Sequence, residues 1–179
     1  MRIVVSGTHA SGKSTLISDF TLRHPEFTVL PDPFEFIDSD AVPVSIASFV
    51  AQLGVAADRL TSEPHGDNLI AERGPLDFLA YLIVAGRLTG RPLDDGMLAD
   101  LAFRTTAAMR TVDALVVLPL TARDAIHVPP DEHPELRAAM NDELLDLLDD
   151  RDIVGERLIV TEVTGTPDER VSAVESLLR

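Results

Sequence analysis

The sequence predicts an α/β protein built on a parallel sheet covered by helices, and three observations lead there. Five short β-branched or apolar runs recur along the chain, with segments of helical periodicity between them. The first run leads directly into Gly7-Thr8-His9-Ala10-Ser11-Gly12-Lys13-Ser14-Thr15 and then into a helix. The fourth, Ala114-Leu115-Val116-Val117-Leu118-Pro119, is apolar throughout, as strands covered on both faces are. With 179 residues and 45% hydrophobic side chains, the chain can bury one full core but not two of ordinary size, so a single domain over residues 1–179 is expected.

Met1-Arg2-Ile3-Val4-Val5-Ser6 is the first strand, and Leu16-Ile17-Ser18-Asp19-Phe20 continues a helix beginning near Lys13. Phe27-Thr28-Val29-Leu30, bounded by His24-Pro25 and Pro31-Asp32-Pro33, predicts a second strand with Asp32 just past its C-terminal end. Ile46, Phe49, Val50, Leu53, Ala57 and Leu60 predict a core-facing helix from Val44 to Leu60. Ser48, Gln52 and Arg59 fall on a different stripe, which either lines a substrate pocket or faces solvent. Asn68 to Glu72 predicts a third strand whose tip carries Glu72 and Arg73. The next helix has Pro75 in its first turn, Asp77 complementing its dipole and Gly86 closing it.

Asp94 and Asp95 are cap candidates for a helix through Met109 that precedes the fourth strand. Thr121 to Pro134 has little apolar periodicity and reads as a flap, a lid spanning residues 121–137. Its histidines, like His65, lack metal-ligand spacing and are expected on the surface. Leu136 to Leu148 returns to helix, with Asp142, Glu143, Asp146, Asp149, Asp150 and Asp152 as a solvated acidic face. Leu158-Ile159-Val160-Thr161 is the fifth strand, and Gly165-Thr166-Pro167 ends it and opens the last helix, Asp168 to Leu178.

Gly7 to Ser14 fits the G-x-x-x-x-G-K-[ST] phosphate loop, with Thr15 adding a further hydroxyl, so a nucleoside triphosphate is the expected ligand. The glycines let the backbone wrap a phosphate chain, the N–H groups of residues 8 to 13 point inward as donors, and Lys13 adds a charge. Ser14 suits a Mg²⁺ ligand, and the helix dipole faces the β-phosphate. Ligands of open α/β sheets bind beyond the carboxyl ends of the strands, which places Asp32 near those phosphates unless it is merely a turn residue between prolines. Glu72 at a neighbouring strand tip is a candidate Mg²⁺ partner and Arg73 a candidate contact to the transferring oxygens; the alternative is a surface ion pair. If the flap closes over the phosphates, Arg123 and Arg137 are the cations able to stabilise transition-state charge, unless they are ordinary surface arginines.

The net charge of −15, from 30 acidic and 15 basic residues, repels nucleic-acid backbones and anionic lipid, so neither a polynucleotide nor a membrane is an expected partner. There is no cysteine, hence no disulfide or thiol nucleophile, and no apolar run approaches 18 residues. A cytoplasmic protein is expected.

Gly7 to Thr15, Leu30-Pro31-Asp32-Pro33, Glu72-Arg73-Gly74-Pro75-Leu76-Asp77 and an Arg-containing flap, in this order, resemble the small P-loop kinases of nucleosides and nucleoside monophosphates. The group includes nicotinamide riboside kinase-like and deoxynucleoside kinase-like proteins. The resemblance covers essentially the whole chain and implies a three-layer α/β/α P-loop NTPase fold with a five-stranded parallel sheet and a lid. It implies ATP and Mg²⁺ as cofactors, and it gives Asp32 the place of the base toward the acceptor hydroxyl, where deoxynucleoside kinases have a Glu-Pro pair. Glu72 and Arg73 match the start of their Glu-Arg-Ser motif, with Gly74 in place of the serine. Gln52 resembles their base-reading glutamine. Ala56-Ala57-Asp58-Arg59 resembles a thymidylate kinase segment in which the arginine meets an acceptor phosphate, and Gly165-Thr166-Pro167 resembles the loop beside the adenine, which makes Thr166 and Pro167 nucleotide-binding candidates.

The expected activity is transfer of the γ-phosphate of Mg-ATP to a hydroxyl or phosphate of a small acceptor, a nucleoside or nucleotide. A kinase of another hydroxylated molecule, such as an antibiotic or sugar, and a non-catalytic nucleotide switch are the alternatives. A homodimer is left open. A GTPase is disfavoured, because the chain has no Asn-Lys-x-Asp and no Asp-x-x-Gly after the third strand.

Overall fold

The computed structural model describes residues 1–36, 45–62, 67–121 and 134–179. Its strands are β1 (Arg2–Ser6), β2 (Thr28–Leu30), β3 (Leu69–Glu72), β4 (Ala114–Val117) and β5 (Ile159–Glu162). All pair in parallel, in the order β2-β3-β1-β4-β5. Val5 lies opposite Glu72 on one side and Val116 on the other, which sets the end of β1 level with the tip of β3.

Successive strand residues face opposite ways. Ile3, Val5, Ile70 and Val116 therefore share one core with Leu16, Ile17 and Phe20 of α1 (Lys13–Arg23) and with Val171 and Val174 of α7 (Pro167–Ser176). Val4, Ala71, Leu115 and Val117 join the opposite core. That face is covered by α2 (Ile46–Thr61), α3 (Pro75–Leu88), α4 (Asp95–Met109), α5 (Pro134–Leu148) and the short α6 (Arg151–Val154). The result is the expected three-layer α/β/α sandwich around a five-stranded parallel sheet.

Local chemistry sets the helix starts. Ser45 caps α2 by accepting from the N–H of Ser48, whose hydroxyl accepts in return from the N–H of Ser45. Asp94 caps α4 through the N–H of Met97, and Thr166 caps α7 together with Glu169.

Three expectations change. Gly86 does not close α3, which runs on to Leu88. A Cβ at Gly86 would stand 3.1 Å from Cα of Pro92 and 3.2 Å from the Arg91 carbonyl, so the glycine admits the returning chain against the helix. Glu143 does not belong to a solvated face: it is buried and pairs with Arg87 of α3, while Asp142, Asp146 and Asp149 stay exposed. The short α6, capped by Asp150, forms where only an acidic run was read. Of the flap expected over 121–137, residues 122–133 fall outside the described residues, and with them Arg123, His127 and His133; His65 does as well.

Gly86→Val should lower folding stability by about 1–3 kcal/mol through overpacking against residues 91–92. Urea unfolding checks this, and an unchanged midpoint would remove the close-approach account.

Candidate functional site

The loop between β1 and α1 turns sharply enough that Gly12, at φ 93°, sits in left-handed backbone immediately before the helix. Each of its carbonyls from Gly7 to Ser11 receives a hydrogen bond from a cationic side chain. Arg73 Nη1 donates to Gly7 O at 3.1 Å and Lys13 Nζ to Thr8 O at 2.6 Å. Arg137 donates through Nε to His9 O at 3.0 Å and through Nη2 to Ala10 O at 3.1 Å. Arg170 Nη1 donates to Ser11 O at 2.9 Å. The N–H groups of Ala10, Ser11 and Gly12 have no partner among the described residues. With their carbonyls held by cations, these N–H groups are a run of donors suited to an anion.

Lys13 is the one lysine among the chain's 15 Lys and Arg residues. Burial, reinforced by the nearby Arg73 charge, lowers its pKa to about 7, and the carboxylates of Asp77, Glu72 and Asp32 oppose that shift. An anion in the loop would favour the charged form. The loop, from His9 to Thr15, lines an open cleft of about 380 Å³ together with Asp32, Glu72 and Arg73. A larger depression of about 710 Å³ lies at the opposite end of the sheet, around Arg110, Asp113, Asp152 and Arg157; no phosphate-loop geometry accompanies it.

Asp32, Glu72 and Arg73 are brought together with the loop, as expected. Arg73 has a φ of 62°, a backbone state that costs a non-glycine residue about 1–2 kcal/mol. Several contacts hold it there: its N–H donates to Val5 O at 3.0 Å and its Nε to Asp32 Oδ2 at 2.7 Å. Its guanidinium carbon lies 5.5 Å from the Phe34 ring centre and 5.6 Å from that of Tyr81. Burial opposes the Arg73 charge, but the Tyr81 oxygen and the carboxylates of Asp32 and Asp77 outweigh it and raise the pKa. Asp32 Oδ1 accepts from the N–H of Phe34 at 3.0 Å, so each carboxylate oxygen keeps one acceptor site open.

Ser14 Oγ donates to Glu72 Oε1 at 2.8 Å. Adjacent ligands of an octahedral Mg²⁺ at ~2.1 Å stand roughly 3 Å apart, so this pair of hard oxygens fits neighbouring positions on that ion. Burial raises the Glu72 pKa, and the hydrogen bond from Ser14 and the charge of Lys13 oppose it. Among the described residues no group of three or more His, Cys, Asp or Glu side chains could hold a metal ion.

On the β2–β3 side of the loop, Phe49 stacks on Tyr81 with ring centres 4.9 Å apart and planes 9° apart, and Phe34 meets Phe49 edge-on. The Tyr81 hydroxyl accepts from the N–H of His9 at 3.3 Å, which links this aromatic group to the loop. Ser48 and Gln52 are buried, so they do not form a solvated stripe. Gln52 Oε1 has no hydrogen-bond partner among the described residues, an uncompensated polar atom one helical turn from Phe49. Arg59 donates to Pro31 O at 2.7 Å and so braces the turn that carries Asp32.

On the β4–β5 side, Thr166 and Pro167 start α7 where expected. Sequence reasoning missed Arg170, Phe34 and Tyr81, and it assigned Asp77 only a helix-dipole role. Asp77 is fully buried and accepts from Ser6 Oγ at 2.6 Å and from the N–H groups of Gly7 and Gly74, each at 2.9 Å. It joins the end of β1 to the start of α3. Burial raises its pKa, against the Arg73 charge and these three donors. The Pro75-x-Asp77 spacing marked a helix start, and nothing local marked the partner 70 residues away.

No protein-family model and no curated protein matches the sequence. Solved structures do match. A structure of deoxyadenosine kinase from M. mycoides with the products dCMP and dCDP superposes with a TM-score of 0.72 at 16% identity, over 99% of this chain and 98% of that one. The same enzyme with bound dCTP gives 0.71 at 15% identity, over 99% and 98%. Thymidylate kinase from Candida albicans gives 0.66 at 14% identity, over 98% and 89%. The chain thus has the P-loop fold of deoxynucleoside and thymidylate kinases along its whole length. Among the described residues no helix is long and apolar enough to cross a membrane.

Asp77→Ala should cost roughly 3 kcal/mol or more of folding stability, because it strands three buried donors and removes a carboxylate from beside Arg73. Denaturant unfolding measures the loss, with Asp77→Asn, which keeps one acceptor oxygen, expected between wild type and alanine.

Proposed function

We propose that this protein is a kinase that moves the γ-phosphoryl group of Mg-ATP to a hydroxyl of a nucleoside or to the phosphate of a nucleoside monophosphate. One observation carries the reading: across a single cleft, an array of unpartnered loop N–H groups with Lys13 faces a carboxylate, Asp32, that is fixed by a buried arginine. A nucleotide-binding switch has no need of that carboxylate. The fold shared with deoxynucleoside and thymidylate kinases supports the same reading.

In this reading the loop N–H groups and Lys13 hold the β- and γ-phosphates. Ser14 and Glu72 would hold Mg²⁺, which neutralises phosphate charge when it is bound with the nucleotide. The acceptor lies against Phe34, which packs edge-on to Phe49, with the buried, unpartnered Oε1 of Gln52 as a hydrogen-bond acceptor for its base. The acceptor hydroxyl oxygen forms a bond to the γ-phosphorus, the bond from that phosphorus to the β,γ-bridging oxygen breaks, and ADP leaves with the electron pair. The hydroxyl proton passes to Asp32, which Arg73 Nε keeps oriented. With a monophosphate acceptor, the phosphate oxygen attacks, and Arg59, braced on Pro31 O, is the cation that meets it. Arg137 stabilises charge at the loop, and Arg123 of the flap is proposed for the same task.

An ADP-release assay with Mg-ATP across nucleosides, nucleoside monophosphates, nicotinamide riboside and simple sugars tests the reading. Stimulation by a nucleoside or nucleotide is expected, stimulation by a sugar alone would move the acceptor class, and ATP binding with a flat panel would favour a switch. Asp32→Asn should leave ATP affinity near wild type and slow transfer by about 10² or more. An unchanged rate would exclude Asp32 as the base.

A further inference from the structure

The loop's four cations differ in what else they hold. Arg73 also binds Asp32, Lys13 lies within the loop, and Arg137 spans two adjacent carbonyls of it. Arg170 ties the loop to the turn beyond β5. Its Nη1 donates to Ser11 O and its Nε to Gly165 O, both at 2.9 Å, and the side chain is buried. Gly165 begins the turn beyond β5, whose next residue, Thr166, is held through its N–H and hydroxyl by Glu169 Oε2 at 2.8 and 3.0 Å. Residues 169 and 170 of one helix turn thus fix the Gly165-Thr166 turn and tether it to the phosphate loop.

The position of that turn matters to an elongated ligand. β1 lies at the centre of the sheet, and Asp32, Glu72, Arg73 and the aromatic group occupy the β2–β3 side of the loop. A nucleoside triphosphate held by its phosphates leaves its sugar and base free to extend toward the β4–β5 side, which ends in the Gly165-Thr166 turn. Both ends of such a ligand are then received by segments that one planar guanidinium bridges with two donors, Nη1 to Ser11 O and Nε to Gly165 O.

We infer that Arg170 is a positioning residue for the donor nucleotide: it sets the span between the phosphate loop and the Gly165-Thr166 turn, and it acts without touching the ligand. This rests on the proposed binding of a nucleoside triphosphate at the loop. A ligand with both a base and phosphates depends on the span, whereas inorganic tripolyphosphate, which fills only the loop, does not. A lysine cannot replace Arg170, because one Nζ cannot present two donors in a fixed plane.

The test compares the affinities of Mg-ATP and Mg-tripolyphosphate for wild type, Arg170→Lys and Arg170→Met by titration calorimetry, with thermal unfolding of each ligand-free protein alongside. The advantage of ATP over tripolyphosphate should fall by about tenfold in both variants, while tripolyphosphate affinity changes by less than about threefold. Equal losses for the two ligands would assign Arg170 to the loop or the fold alone and overturn the inference, as would an undiminished ATP advantage. If Arg170→Met does not fold, Arg170→Lys, which keeps the charge and the aliphatic stem, decides the outcome. A wild type that binds neither ligand would instead overturn the proposed function on which the inference rests.

Discussion

A peptide group cannot turn its N–H toward a ligand without turning its carbonyl the other way. A loop that offers successive N–H groups to an anion therefore drives successive carbonyls back into the protein, where an unmet acceptor costs about as much as a lost hydrogen bond. This constraint organises the molecule. The acceptors of Gly7 to Ser11 are met by Arg73 at the end of β3, Lys13 at the start of α1, Arg137 in α5 and Arg170 in α7. Both helical layers and the sheet thus converge on five residues, and the positive ends of these contacts bias the loop toward anions within a chain of net charge −15.

The cluster behind the loop follows from the same arrangement. A guanidinium as buried as that of Arg73 needs compensation, and Asp32 and Asp77 supply it from two directions. Each carboxylate also shapes backbone: Asp32 closes the turn after β2 through the N–H of Phe34, and Asp77 ties Gly7 to Gly74. Charge balance and chain geometry are thus maintained by the same side chains. The strained φ of Arg73 is affordable in this setting, because the contacts that hold it come from three separate segments.

What could be read from the sequence follows from how far each contact reaches along the chain. The turn of Gly7 to Ser14 between β1 and α1 was legible because its residues are contiguous, and the five strands because each is a short, largely apolar run. Asp32, Glu72 and Arg73 were legible as strand-tip residues, since a parallel sheet brings such tips to one end. Arg170 was not, because its partner at Ser11 lies 159 positions away and a buried arginine in an amphipathic helix has no local mark. Glu143 was misread for the same reason: its place in an acidic run says solvent, and only Arg87 of α3 explains its burial. Gly86 misled because a glycine near a helix end usually terminates it, whereas here it makes room for Pro92.

The solitary lysine has a consequence of another kind. Acetylation, isopeptide linkage to a modifier protein and bifunctional amine cross-linking through side chains all require a lysine Nζ, and this chain offers one address for them, the buried nitrogen bonded to Thr8 O. Its other Lys and Arg positions are all arginines, which do not take part in such acyl chemistry. The exterior is therefore blank to lysine-directed modification. Any acyl group that did reach Lys13 would occupy the space proposed for a phosphate, so on that proposal covalent marking of this amine and nucleotide binding exclude each other.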